Sequence, residues 1–203
     1  MDVTIESLKK TITYSEELGI DLKGGSDAEV FKWFLASVLF GARISETTAK
    51  KTYRAFERHG LLAPERILEA GWDFLVNPVM REGGYVRYDE KTSREVLRNC
   101  EMLIAEYGGS FNRLHREAEG PRDLEARLLR FYGVGPMTVN IFLREMRPYW
   151  TKADPEPAAT VLEAARRFAI DLGAVKRKSV AFARIEAGLV RLRKERNKGE
   201  AGA

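Results

Sequence analysis

Hydrophobic periodicity constrains this chain more than any other feature. Apolar residues recur at helical spacing along nearly its whole length, and no segment shows the period-two alternation and β-branched density of a half-buried strand. The clearest run is Glu29–Leu39, where Val30, Phe31, Phe34, Leu35, Val38 and Leu39 make a broad apolar stripe. Asp27 follows the breaker Gly24-Gly25-Ser26 and is the expected N-cap of that helix. Ser45 is the expected cap of the next, over Thr48–His59. Further helices are expected over Pro64–Ala70, Ser93–Tyr107, Leu124–Tyr132, Pro136–Arg147, Ala158–Leu172 and Ser179–Arg196. Short breakers at Asn77-Pro78, Gly83-Gly84 and Gly108-Gly109 punctuate them without forming a linker. The expected fold class is all-α.

Composition narrows the setting. With 203 residues, 44% apolar and 32% charged, the chain can bury one good core or two small lobes. No run approaches the roughly 20 apolar residues that span a bilayer, and MDVTIESLKK lacks the basic-then-apolar layout of a signal peptide. Cys100 stands alone, so neither a disulfide within the chain nor a cysteine-built metal site is expected. A cytoplasmic, prokaryotic protein without a membrane partner is the resulting expectation. The absence of Gln, with only five Asn, matches the amide-poor bias of thermophile proteins.

Charge is unevenly placed. Lys176–Lys198 holds nine Lys or Arg against two Glu, a local +7, while the total is +4 and the remainder of the chain is therefore −3. A basic end suits a polyanion such as DNA, and equally suits a solvated helix face with a frayed tail. Lys198–Ala203 reads as a disordered end.

The segment Leu128–Leu143 carries the most information. Two helical stretches flank Gly133-Val134-Gly135, with Pro136 at a first helical position and Val134 expected to tuck inward. Glycines there allow close backbone approach, and the amides opening the second helix could hold a phosphate without reading sequence. An ordinary αα-corner would use the same Gly-x-Gly, so that pair alone fits both readings.

The wider pattern, L-x-x-F-x-G-V-G-x-x-T-V-x-x-x-L, resembles the DNA-binding hairpin of the helix-hairpin-helix DNA glycosylases of the endonuclease III-like type. Lys152-Ala153-Asp154-Pro155 lies where that family carries its catalytic aspartate loop, with Asp154 seventeen residues after Met137. Phe34–Ser45 is similar to the family's first barrel helix and the loop after it, so the resemblance covers about residues 27–168. It implies two helical lobes: 27–146 with the hairpin, and 1–26 joined to 147–203 with the aspartate loop and a basic C-terminal helix. The implied partner is double-stranded DNA holding a damaged or mispaired base in a cleft between the lobes, bound by a monomer.

The resemblance assigns catalysis to Asp154, whose carboxylate would stabilise the oxocarbenium-like sugar and orient a water. Asp154 is also expected to cap the helix that follows it. Gly133, Val134, Gly135, Met137 and Thr138 are the implied backbone grip. In strand-cutting relatives Met137's position holds a lysine that forms a Schiff base; a thioether cannot, so a glycosylase without lyase activity is implied. Lys152 is the one nearby amine that could substitute. The family's iron–sulfur cluster is excluded by cysteine count, and no cofactor is expected. Glu156 departs from the family's usual histidine. Arg43, with Ala42, is the expected wedge that fills the gap left by a flipped nucleotide. Met137, Trp150, Tyr85, Tyr88 and Trp33 are the candidates for a base pocket. An alkylated purine, a cation that aromatic faces can hold, is the first substrate expectation. Mismatched thymine or uracil and oxidised purines are alternatives, as is a hairpin that binds DNA without catalysis.

Overall fold

The structure, a computed structural model, describes residues 3–200, with side chains described as far as residue 193. The chain is all-helical, with no strand among the described residues. Its α-helices are α1 Ile5–Leu8, α2 Tyr14–Glu17, α3 Asp27–Gly41, α4 Glu46–Arg58, α5 Pro64–Phe74, α6 Asp89–Tyr107, α7 Phe111–Glu117, α8 Pro121–Leu128, α9 Pro136–Met146, α10 Ala159–Arg167 and α11 Val180–Glu200. A π-helical turn, Leu75–Met80, follows α5, and a 3₁₀ turn, Leu172–Ala174, precedes α11. No helix among the described residues is long and apolar enough to cross a membrane.

Two compact units divide the chain: Ile20–Phe142, and Met1–Gly19 together with Leu143–Ala203. The division thus falls at 19/20 and 142/143, against the sequence expectation of 26/27 and 146/147. The later boundary lies inside α9.

In the 20–142 unit, α3 is the core helix. Val30, Phe31 and Trp33–Leu39 are all buried, so its contacts surround it instead of lying along one stripe. Phe34 anchors an aromatic cluster, with ring centroids 4.3 Å from Phe111, 5.2 Å from Phe131 and 5.7 Å from Phe142. Edge-on and tilted pairs of this kind add about 1 kcal/mol each beyond the area they bury. The cap of α3 is Ser26, whose hydroxyl accepts from the Glu29 amide, and not Asp27. Asp27 instead accepts the Ser110 hydroxyl at 2.6 Å and the Asn112 amide at 3.2 Å, tying the start of α3 to α7. Ser45 caps α4 as expected, accepting from the Thr48 amide at 3.0 Å.

In the other unit, α1, α10 and α11 share a core of Leu8, Val161, Ala164, Ala165, Ile170, Ile185 and Leu189. Helix α10 ends at Arg167, five residues short of the expected Leu172, because Ala169 takes a positive φ of 52°. Three arginines of the basic C-terminal helix are committed to ion pairs within this unit. Arg184 meets Glu16 at 2.6 Å, Arg191 meets Glu17 at 2.8 Å and Arg193 meets Glu163 at 3.7 Å. Lys194, Arg196 and Lys198, and the end expected to be disordered at 198–203, have side chains outside the described residues.

Candidate functional site

The hairpin belongs to the 20–142 unit. After α8, the chain turns through Leu129–Gly135 and re-enters helix at Pro136, with the Val139 amide donating to the Gly135 carbonyl at 3.0 Å. Gly133 has φ +69°, a left-handed conformation, and a Cβ there would stand 2.5 Å from Glu95 Oε2 of α6. The left-handed φ is what requires glycine at this position, since the Glu95 carboxylate is the end of a flexible side chain that can give way. Val134 is buried, 7% exposed, and fastens the turn to the core. Asn99 of α6 clamps the turn at both backbone groups of Tyr132: its Nδ2 donates to the carbonyl at 3.0 Å and its Oδ1 accepts the amide at 2.7 Å. The turn is therefore pre-formed.

The Glu95 carboxylate beside Gly133 opposes an anion on that side. A phosphate would be received at the start of α9, where the amides of Met137 and Thr138 have no acceptor within the helix. Met137 is 53% exposed there and is not core. Thr138 is buried and packs against Gly41. A Cβ on residue 41 would stand 3.2 Å from the Thr138 Cα and closer still to its hydroxyl, so any larger residue there would collide. That contact brings the turn after α3 to the start of α9. Ala42 ends α3, and Arg43 follows it, exposed and without an ion pair among the described residues.

The proposed pocket rings fare differently. Trp33 is fully buried, with its Nε1 donating to the Phe142 carbonyl at 3.1 Å, because α3 is packed on every side. Tyr85 is buried, with its hydroxyl 2.8 Å from Thr92 Oγ1, and burial pushes its pKa up. Trp150 is buried as well. These rings are core, correcting their assignment to a base pocket. Tyr88 remains exposed, in a left-handed conformation (φ 69°) at the start of α6, with the Arg87 guanidinium 5.0 Å from its ring centre.

Asp154 belongs to the other unit, on the loop between α9 and α10. It does not cap α10, whose cap position is Ala158 with no side-chain bond. Its Oδ1 instead accepts Arg177 Nε at 2.6 Å and lies 3.4 Å from Arg147 Nε. Arg147, at the end of α9, is wholly buried and donates to the Pro155 carbonyl at 2.6 Å and to Glu186 Oε2 of α11. Burial raises the Glu186 carboxyl above its usual range, with Arg147 and Arg144 pulling the other way. The side chain of Asp154 itself is 31% exposed. Arg177 reaches further, donating to the Pro155 carbonyl at 3.1 Å and to both Glu156 oxygens at 2.9 and 3.2 Å. Lys152 is half-buried on the same loop.

Sequence reasoning missed Arg147, Arg177 and Glu186. For two of them a signal existed. Arg147 continues the buried spacing of Val139, Leu143 and Met146 on α9, and Glu186 sits between Phe182 and Leu189 on the apolar face of α11. Charges at core-phase positions on two helices imply a buried pair.

No family model matches this chain, and neither curated proteins nor solved structures give a significant match.

Proposed function

We propose that the protein is a helix-hairpin-helix DNA glycosylase that hydrolyses the N-glycosidic bond of a damaged base in double-stranded DNA and leaves the strand uncut. The observation that supports this most is the hairpin turn: Val134 fastened in the core, Gly133 left-handed, and an exposed Met137 opening α9. That arrangement suits backbone phosphate capture and offers no amine for a Schiff base.

Asp154 supplies the chemistry in this reading. Loss of the base leaves positive charge on the sugar, which a partly exposed carboxylate stabilises while it orients the attacking water. The loop carrying it is held by the buried Arg147, so the carboxylate is positioned before substrate arrives. Exposed Arg43 serves as the wedge. With Trp33, Tyr85 and Trp150 in the core, the case for an alkylated purine rests on Met137, Tyr88 and the ease with which a cationic base departs. Mismatched pyrimidines and oxidised purines stay in the same proposal.

The test uses duplexes carrying single 3-methyladenine, 7-methylguanine, uracil, G·T, hypoxanthine or 8-oxoguanine lesions, treated with the protein and then with or without hot alkali. Alkali-dependent strand breaks that Asp154→Asn abolishes are expected on one of them. Breaks without alkali, trapped by borohydride, would overturn the reading of Met137. A second reading, a DNA grip without catalysis, is favoured by the two guanidinium groups that offset the Asp154 charge; it expects binding and no breaks.

A further inference from the structure

Arg177 occupies a place that a purely structural arginine does not need. It sits at the centre of Lys176-Arg177-Lys178, in the loop before α11, and Lys176 and Lys178 are both exposed while Arg177 turns onto Asp154. Lys176 has no ion pair among the described residues, and Lys178 reaches only the carbonyl of Thr151. The Asp154 loop is already secured without Arg177, because the wholly buried Arg147 holds the Pro155 carbonyl from below at 2.6 Å. Arg177 is 35% exposed, so its guanidinium can rotate away without unpacking a core.

The pairing also works against the chemistry. A carboxylate that is to stabilise a cationic sugar loses much of its field when a guanidinium lies 2.6 Å away. A planar guanidinium binds phosphate as well as carboxylate, in the same two-pronged manner. Two lysines flanking it would hold a phosphate in place while the exchange occurs.

We propose that Lys176-Arg177-Lys178 is a DNA backbone phosphate site, and that Arg177 is a latch exchanged between Asp154 in the free protein and that phosphate in the complex. The proposal rests on the DNA-processing reading above and adds a trigger to it: the carboxylate is uncovered only when a strand lies beside it. Glu156, 85% exposed, holds the released half of the latch in the free form, and its pairing with Arg177 is lost at the same moment. Arg177 is thus a positioning residue acting through Asp154, not a group that touches the reacting bond.

The experiment is a double-mutant cycle on binding of an undamaged fluorescent duplex to the full-length protein, followed by anisotropy at fixed salt. If Asp154 and phosphate compete for Arg177, Asp154→Asn frees the latch and tightens binding about fivefold, the order that a part-exposed ion pair carries. In an Arg177→Ala background the same change has no effect. Arg177→Ala is expected to need severalfold more lesion duplex than wild type to reach half of its maximal single-turnover base release, because its phosphate site has lost the guanidinium. Equal tightening by Asp154→Asn in both backgrounds would mean simple removal of a negative charge and would overturn the latch. So would a collapse of single-turnover release in Arg177→Ala while the melting temperature is unchanged, which would mark Arg177 as the support of Asp154. In both cases the glycosylase reading survives, since wild type still binds and cleaves. Absence of DNA binding and base release in the wild type would overturn both together.

Discussion

Removing the Arg147 side chain is the most informative perturbation of stability. The side chains of Arg147 and Glu186 are each 0% exposed, so Arg147→Met leaves a buried carboxylate without its ion-pair partner and with only the more distant pull of Arg144 and Arg177. Breaking one side of such a pair costs about 3–5 kcal/mol. For a chain of this size that is roughly 6–20 °C of melting temperature. A double variant, Arg147→Met/Glu186→Leu, removes the stranded charge and fills similar volume. It forfeits mainly the bond to the Pro155 carbonyl, about 1 kcal/mol, and that carbonyl still has Arg177 at 3.1 Å. The double variant should therefore melt well above Arg147→Met and within a few degrees of wild type. Acid titration gives an independent check. Burial raises the folded-state Glu186 carboxyl above its ordinary 4.5, so the folded chain binds this proton more tightly than the unfolded one. Its contribution is greatest at low pH and is lost as pH rises from about 4.5 through the raised value. Glu186→Gln should lack that decline. Circular-dichroism melts between pH 4 and 8 measure both effects. A single variant as stable as wild type, or a double variant no better than the single, would refute the account of this pair.

Three further outcomes are expected. Gly133→Ala must adopt φ +69° and meet the Glu95 carboxylate at 2.5 Å, so it should lower stability by about 1–3 kcal/mol in denaturant titration; Gly133→Ala combined with Glu95→Ala should recover the steric part only. The buried Cys100 thiol is pushed up to about 12 by desolvation, so a thiol reagent at pH 8 should leave it untouched in the native protein and label it once in denaturant. Met137 is exposed at the start of α9, so Met137→Lys should fold normally; under the proposed function it should convert alkali-dependent breaks into direct ones trapped by borohydride.

What could be read from the sequence were features set by local rules. Ser45 as a cap, the end of α6 at Gly108 and the inward Val134 depend on residues within a few positions of one another. Where neighbours in space decided, the sequence misled. Trp33 lies off the apolar stripe of α3, yet α3 is surrounded, so a stripe is the wrong guide to its burial. Asp27 looked like a cap because Ser110 and Asn112, more than eighty residues away, were not in view. Asp154 looked like the cap of the helix that follows because its partner Arg177, twenty-three residues distant in the chain, was not in view. The count of +7 at the C-terminus leaves out the charges that come from other segments, where Glu16, Glu17 and Glu163 pair with three of its arginines.

Those same pairs have a bearing on how the chain is made. Residues 20–142 form one uninterrupted stretch with its own aromatic core, whereas the other unit is assembled from segments that precede and follow that stretch. Arg184 and Arg191 of α11 are the partners of Glu16 and Glu17 of α2. During synthesis α1 and α2 therefore emerge well before their partner and wait, the α2 carboxylates and the Leu8 face of α1 uncovered, until α11 has been made. Residues 20–142 can fold in that interval, and the Asp154 loop takes its final form only once Arg177 and Glu186 have followed it.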